Sequence, residues 1–160
     1  MERESFLPHG RPFTRADLEA MPDDGNRYEI IDGALIVSAA PRPIHQSVLI
    51  ELVMLLRPLC TGDLMLLAAP LDVELAEDTV VQPDLLVARR SDLTETHLVG
   101  APLLTVEILS PSTKHLDLAY KRARYEAAEV PSYWVVDPGG PSIVAWELID
   151  GAYTEVGRAT

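Results

Sequence analysis

Two acidic residues interrupt otherwise apolar segments of this chain. Glu107 lies within the apolar stretch 103–110, and Asp84 interrupts residues 80–87 in the same way. A buried carboxylate is costly unless a partner neutralises it, and a hard cation such as Mg²⁺, which prefers oxygen ligands, is a suitable partner. The pair therefore predicts a divalent-metal site, whereas either acid alone is more simply explained by a backbone amide or a basic neighbour.

Two further charged residues are candidates for the same site. Glu29 lies in another short apolar segment. Three roles fit this position: it completes the metal shell, it orients a water, or its side chain simply faces solvent. A phosphate-ester hydrolase also needs a cation near the reacting phosphate. Lys121 is the candidate because it shares a helical face with Leu118 and Tyr125. The alternative is an ordinary surface pair between Asp117 and Lys121, and the spacing leaves both interpretations open.

The segments that carry the two acids are predicted to be buried strands. Both are short, apolar and bounded or interrupted by proline, which favours strands over helices. Side chains alternate along a strand, so Thr105, Glu107 and Leu109 share one face. If the two strands pair, Asp84 and Glu107 point at one spot with only a modest adjustment of register. In the predicted strand 80–87, Gln82 lies on the same face as Asp84. A structural role for its polar side chain is preferred over a hydrogen bond to water or substrate.

Three helices are predicted. A capping pattern at Thr14 and Asp17 begins a short helix that ends at about Met21. A second helix spans about 44–59, and a third spans about 116–128, where two apolar stripes compete to face the sheet. The predicted buried stripe of the second helix is Ile44, Val48, Leu52, Leu55, Leu56 and Leu59. The stripe that competes with the Lys121 face in the third helix is Leu116, Tyr120, Ala123 and Ala127.

The remaining segments complete an α/β pattern. The Asp32-Gly33 pair predicts a tight hairpin turn. The other predicted strands are 27–31, 34–38, 64–69, 71–75, 132–136, 143–148 and 153–156. The order helix, three strands, helix, strand, with a hairpin in front and a strand pair behind, predicts an α/β fold with a mixed sheet. We expect a flexible arm at 1–13 and one domain at 14–160.

Composition restricts the classes of function. The chain has 160 residues, 48% of them hydrophobic, and a net charge of −12, which counts against nonspecific nucleic-acid binding. Cys60 is the single cysteine, so an internal disulfide and a cysteine zinc cluster are excluded. No apolar run is long enough to span a membrane and no secretory signal is evident, so we expect a cytoplasmic protein. The histidines are scattered, and His45 is expected to cap or pack the second helix.

Five segments, in this order along the chain, carry a resemblance to a known family: 27–33, 82–85, 106–113, 117–125 and 130–138. They resemble the Uma-two family, which is restriction-endonuclease-like and belongs to the PD-(D/E)XK nuclease superfamily. The resemblance implies a restriction-endonuclease-like αβββαβ core, with Asp84 and Glu107 as metal-binding acids and Glu29 as an accessory acid. The superfamily lysine normally lies two residues after the second acid, where this chain has Leu109. Proteins similar to this one carry it on the following helix, at the position of Lys121.

These observations predict a DNA endonuclease that uses Mg²⁺ or Mn²⁺ to hydrolyse phosphodiester bonds. The alternative is a catalytically inactive module of the same fold that serves as a dimerising or protein-binding domain, which the acidic charge and the displaced lysine favour. A weaker third hypothesis is a phosphodiesterase that acts on a nucleotide or RNA. The apolar strands after Pro131 are a candidate interface for a homodimer. No membrane partner is expected.

Overall fold

The computed structural model describes residues 10–111 and 113–160, without the side chains of 116 and 117. Residues 1–9 of the predicted arm and Ser112 therefore lie outside the described residues. Pro12 and Phe13 lie against the first hairpin, where the Phe13 amide donates a hydrogen bond to the Gly33 carbonyl at 2.9 Å. Within the described part of the chain, every helix is too short or too polar to cross a membrane.

The N-terminal elements are a short helix and a hairpin. Helix α1 spans Arg15–Glu19, where the Thr14 amide donates to the Asp17 carboxylate, as the capping pattern predicts. Strands β1 and β2 span Arg27–Ile31 and Ala34–Ser38 and pair antiparallel. Their turn has positive φ at both central residues, 52° at Asp32 and 77° at Gly33. That geometry explains the Asp-Gly sequence and confirms the predicted hairpin.

Helix α2 spans Pro43–Leu56 and continues as a 3₁₀ turn at Arg57–Leu59. The position of the helix is confirmed, but the predicted buried stripe is wrong in part, because Ile44, Leu55 and Leu59 are exposed. The helix is apolar on several sides, so spacing alone does not decide which face packs. The face that does pack on the sheet consists of His45, Val48, Leu49, Leu52, Val53 and Leu56.

The middle of the chain forms six strands rather than a smaller number of longer ones. Their bounds are β3 Leu64–Ala68, β4 Asp72–Ala76, β5 Thr79–Val81, β6 Leu85–Arg89, β7 His97–Val99 and β8 Leu104–Ile108, with a 3₁₀ turn at Arg90–Asp92. The expectation of one strand over residues 80–87 is wrong. Pro83 has no amide to donate to a ladder, and the chain passes at residues 82–84 from one sheet to the other.

The C-terminal part begins with a π-helical turn at Leu116–Lys121 that leads into helix α3, Arg122–Ala127. Lys121 and Tyr125 are buried, whereas Tyr120, Ala123 and Ala127 of the competing stripe are exposed. Leu118 is 39% exposed, because the i→i+5 hydrogen bonding of the π turn shifts it out of line with Lys121. Strands β9 Ser132–Asp137, β10 Ser142–Ile149 and β11 Ala152–Ala159 follow.

The strands divide between two sheets. The five-stranded sheet has the order β2-β1-β5-β4-β7, and the six-stranded sheet has the order β11-β10-β9-β8-β6-β3. In the six-stranded sheet, β8 pairs antiparallel with β6 and parallel with β9. The succession α2, β3, β6, β8, α3, β9 is the αβββαβ core expected from the sequence. The mixed α/β fold class is confirmed, and the hairpin and the C-terminal strands extend it.

Candidate active site

Asp84 and Glu107 meet because β6 and β8 are neighbours. Leu85 pairs with Val106, so the antiparallel register places Asp84, one residue before β6, opposite Glu107. The backbone confirms this placement: the Ile108 amide donates to Asp84 Oδ2 at 2.7 Å. The sequence therefore predicted the meeting of the two acids correctly, although Asp84 precedes its strand rather than lying within it.

The other oxygen of Asp84 contacts two side chains from different elements. Arg27 Nη1 lies 3.0 Å and His45 Nε2 lies 3.1 Å from Asp84 Oδ1. Burial by itself raises the pKa of Asp84, but the His45 hydrogen bond, the Arg27 charge and the Ile108 amide together hold it below its usual value. Asp84 is therefore an ionised carboxylate at neutral pH.

His45 and Arg27 are the site residues that sequence reasoning missed. His45 was expected only to cap or pack α2, yet it lies at the cleft against Asp84. Its spacing was a usable signal, because residues 45, 49, 52 and 56 follow the helical period of the buried face. Arg27 precedes Glu29 by two residues in β1, so the two side chains share a strand face.

Lys121 reaches the second acid from the helix. Its Nζ lies 3.1 Å from Glu107 Oε1 and 2.8 Å from Glu29 Oε1. Glu29 Oε1 also accepts a hydrogen bond from the backbone amide of Gln82 at 2.6 Å. The Gln82 side chain instead donates to Asp72 Oδ1 at 2.8 Å, in agreement with the structural role expected for it. Lys121 is 2% exposed, which excludes the surface-pair interpretation.

Tyr125, one helical turn after Lys121, completes the surroundings of Glu107. Its hydroxyl donates to Glu107 Oε1 at 2.5 Å. Burial and the Glu107 charge raise the pKa of Tyr125 well above its usual value, so the phenol keeps its proton and remains a donor. Lys121 and Tyr125 thus act on the same oxygen from consecutive turns of one helix. The Asp117 side chain, the expected surface partner of Lys121, lies outside the described residues.

One cleft of about 200 Å³ is lined by the charged side chains described above: Arg27, Glu29, His45, Asp84, Glu107 and Lys121. Glu29, Asp84, Glu107 and Lys121 are each 2% exposed or less. Counted at their formal charges, three carboxylates face the two basic groups of Lys121 and Arg27, which leaves an excess of one negative charge besides His45. A buried ionic group of this kind is stable only when every charge has a close partner. The cleft is therefore an acidic and tightly paired site.

The donor set fits a hard divalent cation. Its ligating atoms are carboxylate oxygens without sulfur, and Mg²⁺ commonly uses one or two carboxylates while water and substrate phosphate complete its shell. Asp84 and Glu107 are the residues that would supply those carboxylates. Among the described residues, no three His, Cys, Asp or Glu side chains are grouped as a metal site.

Comparison with known proteins agrees with this architecture. A family model described as Uma2, putative restriction endonuclease, matches residues 15–159. The crystal structure of a putative nuclease belonging to DUF820 from Anabaena variabilis ATCC 29413 has the same fold, with a TM-score of 0.70 at 19% sequence identity. The match covers 90% of this chain and 84% of that one. No curated protein matches the chain. The resemblance found in the sequence is confirmed.

Proposed function

Because the chain belongs to the Uma2 family of restriction-endonuclease-like proteins, we propose that it is a nuclease that uses a divalent cation to hydrolyse phosphodiester bonds in DNA. Asp84 and Glu107 would hold the cation, and Mg²⁺ or Mn²⁺ suits their oxygen ligands. When bound, such an ion supplies Lewis-acid polarisation of a phosphodiester oxygen and lowers the pKa of a water.

Lys121 provides the positive charge at the reacting phosphate. Its ammonium lies between Glu29 and Glu107, which hold it in place before a substrate arrives. A fixed cation stabilises the charge that develops on the phosphate oxygens in the transition state without first reorganising. Glu29 is a positioning residue for this ammonium, and Tyr125 positions the Glu107 carboxylate.

One observation carries the proposal. Three acids and a lysine from separate elements converge, almost fully buried, on a single cleft. Burying these charges together costs several kcal/mol per ion before pairing repays it. A protein that needed only stability at this position is served equally well by apolar side chains. The arrangement is therefore better explained by chemistry than by packing.

Plasmid nicking tests the proposal. Wild-type protein is incubated with supercoiled DNA and Mg²⁺ or Mn²⁺, beside Asp84→Asn, Glu107→Gln and Lys121→Met. We expect Asp84→Asn and Glu107→Gln to lower the nicking rate by at least about 100-fold. Substituting even the residues that only hydrogen-bond to a metal ligand usually lowers metal affinity or activity by about 10–100-fold. For Lys121→Met we expect a loss of about 10²–10³-fold.

Asp63→Asn is the matched control for this experiment. Asp63 is an exposed acid that pairs with Arg89 at 3.0 Å, outside the residues that line the cleft. Its rate should equal that of the wild type. Equal nicking by wild type, Asp84→Asn and Glu107→Gln would refute the proposal, because the activity would then come from elsewhere.

A second candidate is the catalytically inactive module of the same fold. Its support is that Arg27 and Lys121 already pair with the three carboxylates, in a protein with a net charge of −12. Calorimetric titration with Mn²⁺ distinguishes the two candidates. The nuclease binds the ion and loses that binding in Asp84→Asn, whereas the inactive module gives no heat of binding in either protein.

A further inference from the structure

The hydrogen bonds of Asp84 leave little room for an additional cation. Oδ2 accepts from the Ile108 amide, while Oδ1 is contacted by both Arg27 and His45. A cation that binds Oδ1 must therefore share that oxygen with a positively charged guanidinium or replace it, and a cation that binds Oδ2 lies on the same carboxylate as that guanidinium. Two cations this close repel each other strongly in a buried site.

Arg27 is the partner best able to leave. Ile108 contributes a backbone amide of a central strand, and His45 is held on the buried face of α2. Arg27 comes from the other sheet, its side chain is 20% exposed, and it also donates a hydrogen bond to the Gln82 carbonyl at 3.2 Å, while the charges of Glu107 and Glu29 also attract it. It also lines the cleft. Its long side chain can therefore turn without moving the backbone.

We infer that Arg27 occupies the Asp84 side of the metal site until a divalent cation displaces it, and that the released guanidinium then binds the substrate phosphodiester. This inference rests on the proposed function and assigns a residue to substrate binding within it. A guanidinium offers a planar pair of donors that matches two phosphate oxygens, so a phosphate is a suitable replacement for the lost carboxylate.

A thermodynamic consequence follows from the exchange of partners. A cation at Asp84 releases Arg27 for the phosphate, and a phosphate that holds Arg27 frees Asp84 for the cation. Each ligand then raises the affinity of the other by the same factor, because coupling between two binding sites is reciprocal. Metal and DNA binding should therefore be cooperative in the wild type and independent when Arg27 is absent.

Mn²⁺ titration calorimetry of wild type, Arg27→Met and Arg27→Lys in the absence of DNA tests the inference. Arg27→Met keeps much of the apolar stem and removes the charge, so we expect it to bind Mn²⁺ about 10-fold more tightly, within the usual range of such couplings. Arg27→Lys keeps the charge and should bind Mn²⁺ about as the wild type does. Thermal unfolding in EDTA verifies that each variant is folded.

DNA binding provides the second measurement. Fluorescence anisotropy in Ca²⁺, with gels to verify that the DNA stays intact, should show that Arg27→Met binds DNA about 10-fold more weakly than the wild type does. In calorimetry, adding DNA should raise the affinity for Mn²⁺ only in the wild type and Arg27→Lys. Equal or weaker Mn²⁺ binding by Arg27→Met than by the wild type in the absence of DNA, or Mn²⁺ binding by Arg27→Lys as tight as that by Arg27→Met, overturns the inference and leaves the nuclease proposal standing. Absence of Mn²⁺ binding in all three proteins overturns both.

Discussion

At the scale of single residues, the notable feature is a lysine that reaches the second acid from a helix instead of from the same strand. Leu109, two residues after Glu107, packs into the apolar core beside Tyr125. Lys121 lies on the helical segment that follows β8, and its Nζ lies 3.1 Å from Glu107 Oε1. The ammonium thus reaches Glu107 from a helix and not from the strand that carries the acid. Residue type and spatial position, rather than spacing along the chain, define this site.

Tyr125 provides a prediction about stability. Tyr125→Phe removes the donor to Glu107 and leaves a buried carboxylate with one hydrogen bond fewer. Hydrogen bonds to charged groups contribute about 1.5–3 kcal/mol, so we expect the free energy of unfolding to fall by about that amount. Urea denaturation in EDTA measures the change without a contribution from bound metal.

Tyr120→Phe is the matched control for this substitution. Tyr120 lies on the same helical segment, is 54% exposed and packs edge-on against His115. Its loss of a hydroxyl should change stability by no more than about 0.5 kcal/mol. Equal destabilisation by the two substitutions would contradict the importance of the Tyr125 to Glu107 hydrogen bond.

At the scale of elements, two hairpins share one turn sequence but differ in their surroundings. Asp32-Gly33 and Asp150-Gly151 both have positive φ at the two central residues. A Cβ at Gly33 would lie 2.7 Å from the Cβ of Pro12, whereas a Cβ at Gly151 would meet nothing within 4 Å. The first turn is therefore constrained by both backbone conformation and packing, and the second by conformation alone.

The two alanine substitutions separate these constraints. Gly151→Ala should cost about 1–2 kcal/mol, the usual cost of a left-handed conformation for a residue with a Cβ. Gly33→Ala should cost more, by about 1–3 kcal/mol for the added overlap with Pro12. Thermal or urea unfolding of both variants provides the comparison. Similar losses in the two would show that Pro12 moves aside freely.

The π-helical turn is the element that sequence patterns do not disclose. A regular helix would align Leu118 with Lys121 and Tyr125, as the spacing predicted. The i→i+5 turn at Leu116–Lys121 leaves Leu118 partly exposed while Lys121 and Tyr125 remain directed at Glu107. Such turns interrupt helices most often at functional positions. The lysine therefore lies at the point where the helix changes its hydrogen-bonding pattern.

At the scale of the whole molecule, the net charge of −12 opposes DNA binding. The proposed nuclease would have to obtain its affinity for DNA from a cation and from a few local basic groups, because broad electrostatic attraction is lacking. Arg27 and Arg42 line the cleft, and Arg42 is exposed at the start of α2. Few phosphates can therefore be neutralised at one time.

The dependence of DNA binding on salt tests this description. With two or three phosphate contacts, log K in Ca²⁺ should fall with log of the salt concentration at a slope of about −2 to −3. Arg42→Ala should reduce the magnitude of that slope by about 1. Arg158→Ala is the control, because Arg158 pairs with Glu155 on β11 and does not line the cleft. A slope near −10 would require a basic surface that this composition does not provide.

Local patterns by themselves predicted most of the elements and singled out Asp84 and Glu107, the two acids that meet in the cleft. The Asp32-Gly33 turn is specified by the φ values that it requires, and the alternation of side chains along a strand predicts that Glu107 and Leu109 share one face. An isolated acid in an apolar strand is also visible without coordinates, because its burial demands a partner. These features depend on residues close together in the chain.

Only the tertiary structure decided which partners those acids have. Three features depend on elements far apart in sequence. They are the passage between sheets at residues 82–84, the choice of the Lys121 face of the C-terminal helix, and the contacts of Asp84 with Arg27 and His45. Apolar periodicity is degenerate where a helix is hydrophobic on several sides, as α2 is, so packing and not propensity selects the face. Charge pairing across two sheets has no periodic signal at all, because it is set by where the chain returns in space.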